Sequence, residues 1–560
     1  MTPGTGADAI VGALIRLGVR HAFGISGANI EDLWLGVQQR RPQITAVLSK
    51  HEHSAGTAAD AYARLTGSLG VVMTTSGGGA MNLVPALAES RASRVPVLAI
   101  VGEPPADLQG RGAFQDTSRR GDVDAQAVFR AVSTFCVRPT TVQGLSCLVE
   151  EAGRTALGEK APAVVLVAKN LQQASCEPGA PDAAVEPTAM CRSAPDPAAI
   201  SAAALVLRQH PVVIVAGDEV SRTDAQAEVA HLATILDAQV AVTPDARDAF
   251  DNGDPRFAGV VGAMGHASAA AALAKAEVCL LIGTRLPLLA RQDHEEMLLK
   301  RTLVSIARAA PFLSSPHTMH IGGDVLVNVR ALVRELDVAA RDEIAEARTG
   351  LTVAGEDIHE YGSAAILQVI ERALPVDAVV LVDAGNTGAH AVHGIRAPRH
   401  GRWLLAMGMA GMGYTFGGAI GAAFATGKRV VVLAGDGAFF MHGLEIHTAV
   451  EHQLPITYVI FDNRAHGMCL VRERLLLGEE SGSNRFRQAR IGAGLAAMFP
   501  GLDATDCESL PELERAIRRA VGQPGPALVC ARLSEVEVPP FASLRHAFAA
   551  RAAATSGTLS

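Results

Sequence analysis

No C-x-x-C pair occurs among the eight cysteines, so the sequence offers neither a zinc spacing nor a disulfide framework. A reducing cytoplasm is the expected compartment. No basic block is present either: the formal net charge of −8 is spread along the chain, which argues against a nucleic-acid partner. The first residues, MTPGTGADAIVGALIRLG, lack the basic segment and apolar run of a signal peptide. The central part contains no G-x-G-x-x-G after a strand-like run, so the dinucleotide fingerprint is missing. No direct internal repeat appears.

One segment invites a membrane reading. Residues 404–426, LLAMGMAGMGYTFGGAIGAAFAT, carry no charge, and Gly413, Gly417 and Gly421 repeat small-xxx-small spacing. Six glycines and few large aliphatics make its transfer into lipid unfavourable. A tightly packed buried helix is the expectation, and no membrane partner.

What is present is alternation. With 560 residues, 49% of them hydrophobic, the chain is long enough for about three domains. Short apolar runs (HAFGISG, ITAVLSK, LGVVMTTSG, VPVLAIVG) alternate with helix-like stretches up to about residue 172. Residues 173–198 are rich in Pro, Ala, Asp and Glu and read as a linker. A second alternating block covers 199–340, a third 355–538, and an Ala-rich tail 539–560. The expected fold class is α/β, with three doubly wound parallel-sheet domains.

In the third block the strand-like VVVLAG runs into Gly435-Asp436-Gly437, and ITYVIF ends in Asp462-Asn463. In a parallel sheet both clusters fall at the carboxyl ends of strands, where ligands bind. Oxygens from Asp436 and Asn463 suit a hard cation such as Mg²⁺, and the flanking glycines allow a diphosphate to approach.

This run resembles the thiamine diphosphate binding motif, which opens with GDG and closes with Asn about 25–30 residues later. The rest of the chain is similar to the acetohydroxyacid (acetolactate) synthase family in SKHEHSAGTAADAYARLTG, TTSGGGAMN, GAFQD and GMAGMGYTFGGAIGA. The resemblance implies pyrimidine-binding, central and diphosphate-binding domains in that order. It implies Asp436, Asn463 and the carbonyl of Ala465 as metal ligands, with Gly435, Gly437, Ala438, Gly467 and Met468 beside the cofactor. Glu52 falls on the activating glutamate that hydrogen-bonds the pyrimidine ring. Met412 falls on the residue that props the cofactor's bent shape, and the carbonyl of Ala410 on the acceptor for its amino group. Gly385, Asn386 and Thr387 are diphosphate contacts by position. Phe114 and Gln115 face the reacting substrate in the synthases, and His53 and His466 fall near the site.

Several positions depart from the synthases. GISGAN replaces their usual GYPGGA, which puts Ala28 and Asn29 at the substrate side. Arg472 replaces a tryptophan of the acceptor pocket, and a guanidinium suits a carboxylate or phosphate better than an ethyl group. In GTRLPLLAR, Arg285 is kept but Leu289 stands where a second arginine is expected, which weighs against FAD. There is no adjacent His-His pair of the kind simple decarboxylases use, which favours carboligation.

The expectation is therefore a thiamine diphosphate- and Mg²⁺-dependent carboligase. It would decarboxylate a 2-oxo acid and transfer the acyl anion to a carbonyl acceptor, in a homodimer or homotetramer with intersubunit sites. A simple 2-oxo acid decarboxylase or an acyl-thioester-using acyloin synthase is the alternative. A non-catalytic nucleotide-binding α/β protein is the remote one.

Overall fold

A computed structural model describes residues 4–176, 194–337 and 361–544, apart from 536, 542 and 543. Strands such as VVVLAG and ITYVIFD are buried almost from end to end, because helices cover both faces of a parallel sheet. The described residues form three six-stranded sheets, and every strand pair within them is parallel.

Across the first sheet the strands lie in the order Thr45–Leu48, His21–Gly24, Gly70–Thr74, Val97–Glu103, Ala163–Ala168 and Phe135–Val137. The third sheet reads Arg402–Leu405, Val379–Val382, Val430–Gly435, Ile456–Asp462, Ala527–Arg532 and Asp503–Cys507. Counted along each domain's own chain, both orders are 2-1-3-4-6-5. The central sheet differs: Phe257–Val260, Gln239–Val242, Val212–Ala216, Val278–Ile282, Thr302–Ala307 and Thr318–Gly322 give 3-2-1-4-5-6. Each order has a point where the chain winds off in opposite directions, and a crevice opens there at the carboxyl ends. It lies between strands 1 and 3 in the outer domains, and between 1 and 4 in the central one.

The charge-free run at 404–426 is not one helix. Its first residues end the strand Arg402–Leu405, a loop follows, and the helix is Tyr414–Thr426. That helix is buried against the helix Glu52–Thr66 of the first domain. A Cβ on Gly417 would lie 2.2 Å from the Ser54 carbonyl oxygen, and one on Gly421 1.9 Å from that of Ala58. The small-xxx-small spacing therefore serves helix contact within the chain, and no described helix is long and apolar enough to cross a membrane.

A polar network spans the same seam. Tyr414 Oη donates to Asp60 Oδ1 (2.5 Å), Arg64 Nε to the same oxygen (2.6 Å), and Arg64 Nη2 to Glu89 Oε1 (3.2 Å). Glu89 in turn accepts from the backbone N–H groups of Gly408 and Met409. All four side chains are buried, so removing one partner would strand a charge in the interior.

Between the strands Val430–Gly435 and Ile456–Asp462 the crossover is a helix, Asp436–His442, a 3₁₀ turn, Gly443–Glu445, and a second helix, Ile446–Glu451. Of the expected linker, Ser175–Cys176 pairs antiparallel with Gly4–Thr5, while 177–193 lies outside the described residues. So do the first residues of the third block, up to 360, and nearly all of the tail from 545.

Candidate active site

The strand Val430–Gly435 delivers Asp436 to the crevice of the third domain. Its side chain is 1% exposed. Oδ1 accepts from the N–H of Gly437 at 2.9 Å, and Oδ2 is buried with no hydrogen-bond partner among the described residues. Burial, and after it the charge of Asp462, pushes the Asp436 carboxyl up to about 7. An unpartnered buried carboxylate oxygen beside a second carboxylate is where a cation would be stabilised.

The pocket around it is lined by Gly385, Asn386, Thr387, Met412, Gly435, Gly437, Ala438, Asn463, Ala465, His466, Gly467 and Met468. Eleven of these twelve, all but His466, are sequence-expected cofactor contacts, brought together beside Asp436. Asn386 Oδ1 is a second buried oxygen without a partner among the described residues. Gly385, at φ +97°, caps the helix Asn386–Gly394 without any side-chain bond, so the first N–H groups of that helix stay free for an anion. At Gly437 a Cβ would meet His466 Nδ1 at 2.9 Å and Met412 Cε at 3.1 Å; glycine leaves that space open. Among the described residues no group of three or more His, Cys, Asp or Glu side chains can hold a metal. One carboxylate, an amide and a carbonyl fit a Mg²⁺ that takes its remaining ligands from a diphosphate and water.

Ala410 is exposed and left-handed at φ +52°, an uncommon conformation for a residue with a Cβ, which aims the loop before Met412. That loop is held by Asp383, which the sequence reading passed over. Its buried carboxylate accepts from the N–H groups of Gly413 (3.0 Å) and Thr415 (3.3 Å) and from Thr415 Oγ1 (2.7 Å). The only sequence signal was its place at a strand end before Ala-Gly-Asn. Arg472 ends the helix Gly467–Arg472, is exposed, and does not line the pocket.

The first domain carries a separate group. Glu52 starts the helix Glu52–Thr66 and is 9% exposed. Its Oε2 accepts from Asn82 Nδ2 at 3.0 Å, and a Cβ on Gly79 would lie 2.9 Å from Oε1. Gln115, left-handed at φ +57°, lies against Gly77, where a Cβ would meet its own at 2.8 Å. Phe114 beside it is 75% exposed. Asn29 is buried and donates to Ser76 Oγ at 2.7 Å, so it builds the crevice wall at the switch point. Ala28 is exposed, and its carbonyl accepts from Lys169 Nζ. None of these first-domain residues lines the pocket around Asp436.

Two histidines join the halves. The His53 and His442 rings stack at 4.4 Å, with His51 edge-on to His442 at 5.3 Å. Burial lowers His53 to about 3 and His442 to about 4, so both rings are neutral at neutral pH.

The chain matches three domain models: "Thiamine pyrophosphate enzyme, N-terminal TPP binding domain" over residues 4–125, the central domain over 200–336, and the C-terminal TPP binding domain over 383–531. It is 26% identical to the acetolactate synthase isozyme 1 large subunit of Escherichia coli (strain K12), over 96% of each chain. It is 28% identical to the acetolactate synthase large subunit of Parasynechococcus marenigrum, covering 94% of this chain and 87% of that one. A third relative, the chloroplastic acetolactate synthase 3 of Brassica napus, is 26% identical over 94% of this chain and 83% of its own.

Proposed function

This chain belongs to the thiamine pyrophosphate enzymes, and from that membership we propose that it is a Mg²⁺-dependent carboligase of the acetolactate synthase-like kind. It decarboxylates a 2-oxo acid and joins the acyl unit to a carbonyl acceptor. The observation that carries the reading is the buried, unpartnered Asp436 Oδ2 in a pocket shared with Asn463, Ala465 and Asn386.

When bound, thiamine diphosphate supplies the nucleophilic carbon and the electron sink for loss of CO₂. This chain's residues do the rest. Asp436, Asn463 and the Ala465 carbonyl would hold Mg²⁺, and the open helix end at Gly385–Thr387 would receive diphosphate oxygens. Met412 would support the bound cofactor, and the Ala410 carbonyl would accept from its amino group. Glu52, whose Oε2 is engaged by Asn82, would hold or yield a proton at the pyrimidine ring. Gln115 would orient the substrate without titrating, Phe114 would face it, and His466 and Ala28 would border the reacting groups.

Because the Asp436 pocket contains no first-domain residue, a complete site needs the Glu52 half of a second copy, which favours a homodimer or homotetramer. The exposure of Phe114, Phe440, Met441 and Leu444 supports this. A cytoplasmic location is part of the same reading, on the cysteine pattern of the sequence.

FAD is left out of this reading because the central domain has Leu289 where a second arginine is expected. The turn after Val212–Ala216 presents Asp218 and Glu219 rather than a glycine cradle. Asp218 pairs with Arg222 at 2.6 Å, and Glu219 accepts from the Arg308 N–H at 3.0 Å. A Cβ on Gly217 would lie 2.4 Å from Thr284 Cβ, so this turn packs directly against the end of the neighbouring strand. Arg285 stacks on Phe312, at 3.8 Å from its ring centre, and Leu289 is partly exposed.

The test is a panel of 2-oxo acids incubated with the enzyme, thiamine diphosphate and Mg²⁺, with and without carbonyl acceptors. CO₂ release and product mass are measured together. Coupled 2-hydroxy-ketone products support the reading. Free aldehyde alone would mean a simple decarboxylase, and cofactor binding without turnover a non-catalytic protein.

A further inference from the structure

The Glu52 side chain has one protein hydrogen-bond partner among the described residues, and it is Asn82. We propose that Asn82 is a positioning residue that locks the Glu52 carboxylate so that Oε1 alone faces the cofactor ring; this rests on the thiamine diphosphate reading above.

The two residues come from different elements. Glu52 sits in the first turn of the helix Glu52–Thr66, and Asn82 in the first turns of the helix Gly78–Ala92. A carboxylate accepts only, so the group of Asn82 that faces it at 3.0 Å is the NH₂, and the amide orientation follows. With Oε2 engaged, rotation of the carboxylate is restrained. The space beside Oε1 is kept clear by Gly79, where a Cβ would intrude to 2.9 Å. Asn82 itself is exposed in the single chain, as is Gly78, so its side chain carries no core packing. What it does for the carboxylate is directional: an N–H aimed at one oxygen fixes which oxygen is left to face the ring.

Asparagine is also selected over its isostere. An aspartate at this position would put two carboxylates about 3 Å apart, a spacing at which like charges share a proton. That proton would sit between residues 52 and 82 instead of on the oxygen facing the ring.

Three measurements on Asn82→Ala and Asn82→Asp test this: melting of the cofactor-free protein, thiamine diphosphate affinity by calorimetry, and exchange of the cofactor's thiazolium C2 proton by acid quench and NMR across pH. Melting is expected to stay at the wild-type value and affinity within a few-fold. Exchange should fall about ten- to a hundredfold in Asn82→Ala, the worth of one hydrogen bond to a charged group. In Asn82→Asp the exchange profile should also shift to higher pH, and Asn82→Gln should recover part of the rate. Wild-type exchange and pH profile in both variants would overturn the proposal. So would an exchange loss fully accounted for by lower melting temperature or weaker cofactor binding, since that is the mark of a merely structural residue. If the wild-type protein itself binds no thiamine diphosphate, the functional reading fails instead, and the two failures are told apart by that control.

Discussion

The first and third domains share one strand order, 2-1-3-4-6-5, yet they treat buried acid in opposite ways. Strand 4 of the first domain ends in Glu103, fully buried and gripped by both arms of Arg138, Nε and Nη2 each at 2.8 Å. Strand 4 of the third domain ends in Asp462, also buried, whose nearest cation is Arg532 at 3.9 Å. After strand 3 the first domain has Thr75 and Ser76, hydroxyls bonded to Asn29, whereas the third has Asp436. The same scaffold thus makes an internally neutral crevice at one end of the chain and an electron-rich one at the other. Topology supplies the crevice; the side chains at the strand ends decide whether it calls for a cation.

The largest effect is expected at Asp436. Asp436→Asn should abolish measurable thiamine diphosphate binding in calorimetry, because the phosphate charge then loses its cation. The same change should not lower the stability of the cofactor-free protein. The folded Asp436 carboxyl, at about 7, lies above its ordinary 3.8. Its contribution to stability is therefore complete below pH 3.8 and is lost as pH rises through 7. At pH 8 the cofactor-free wild type carries the unfavourable ionised pair, and denaturation should show Asp436→Asn equally or more stable there. A stability loss with binding retained would erase the contrast between the domains.

Arg138 offers the next test. Arg138→Leu leaves Glu103 buried without its partner and should cost about 3–5 kcal/mol of stability. Arg532→Leu, removing a longer and more exposed pair in the third domain, should cost under about 1 kcal/mol. Denaturant midpoints of the two variants measure the difference, and equal losses would mean that both acids are compensated alike.

The smallest effect belongs to the histidines joining the halves. His53 and His442 are held neutral, at about 3 and 4 against an ordinary 6.5. Protonation is thus favoured in the unfolded chain, so stability is full above pH 6.5 and falls as pH drops toward 4. His442→Phe keeps a ring over His53 and should flatten part of that acid slope. Melting temperatures between pH 7 and pH 5 would show it, and an unchanged slope would place the acid sensitivity elsewhere.

The sequence made the central strands legible because parallel strands covered on both faces read as continuous apolar runs. Edge strands escaped it. Of the strand Arg402–Leu405, the last two residues were counted into the charge-free run at 404–426, and DATDC at 503–507 is too polar to stand out. The shared strand order of the outer domains was invisible, since order across a sheet leaves no mark along the chain. At the candidate site, Asp436 and Asn463 stood out because a glycine pattern and a spacing flagged them, and Glu52 because its segment resembles that of the synthases. Asp383 and Asn82 did not, because each acts through a hydrogen bond to another segment: Asp383 on Gly413 and Thr415, Asn82 on Glu52. Arg472 was expected at the substrate and is found exposed at a helix end, outside the pocket lining.

The central claim is that the third-domain crevice is completed by a divalent cation and a diphosphate. Titrating thiamine diphosphate into the wild-type protein by calorimetry, once with Mg²⁺ and once with excess EDTA, tests it most directly. The account predicts saturable binding with Mg²⁺ that vanishes in EDTA and returns when Mg²⁺ is restored. Equal binding under both conditions, or none in either, would contradict it.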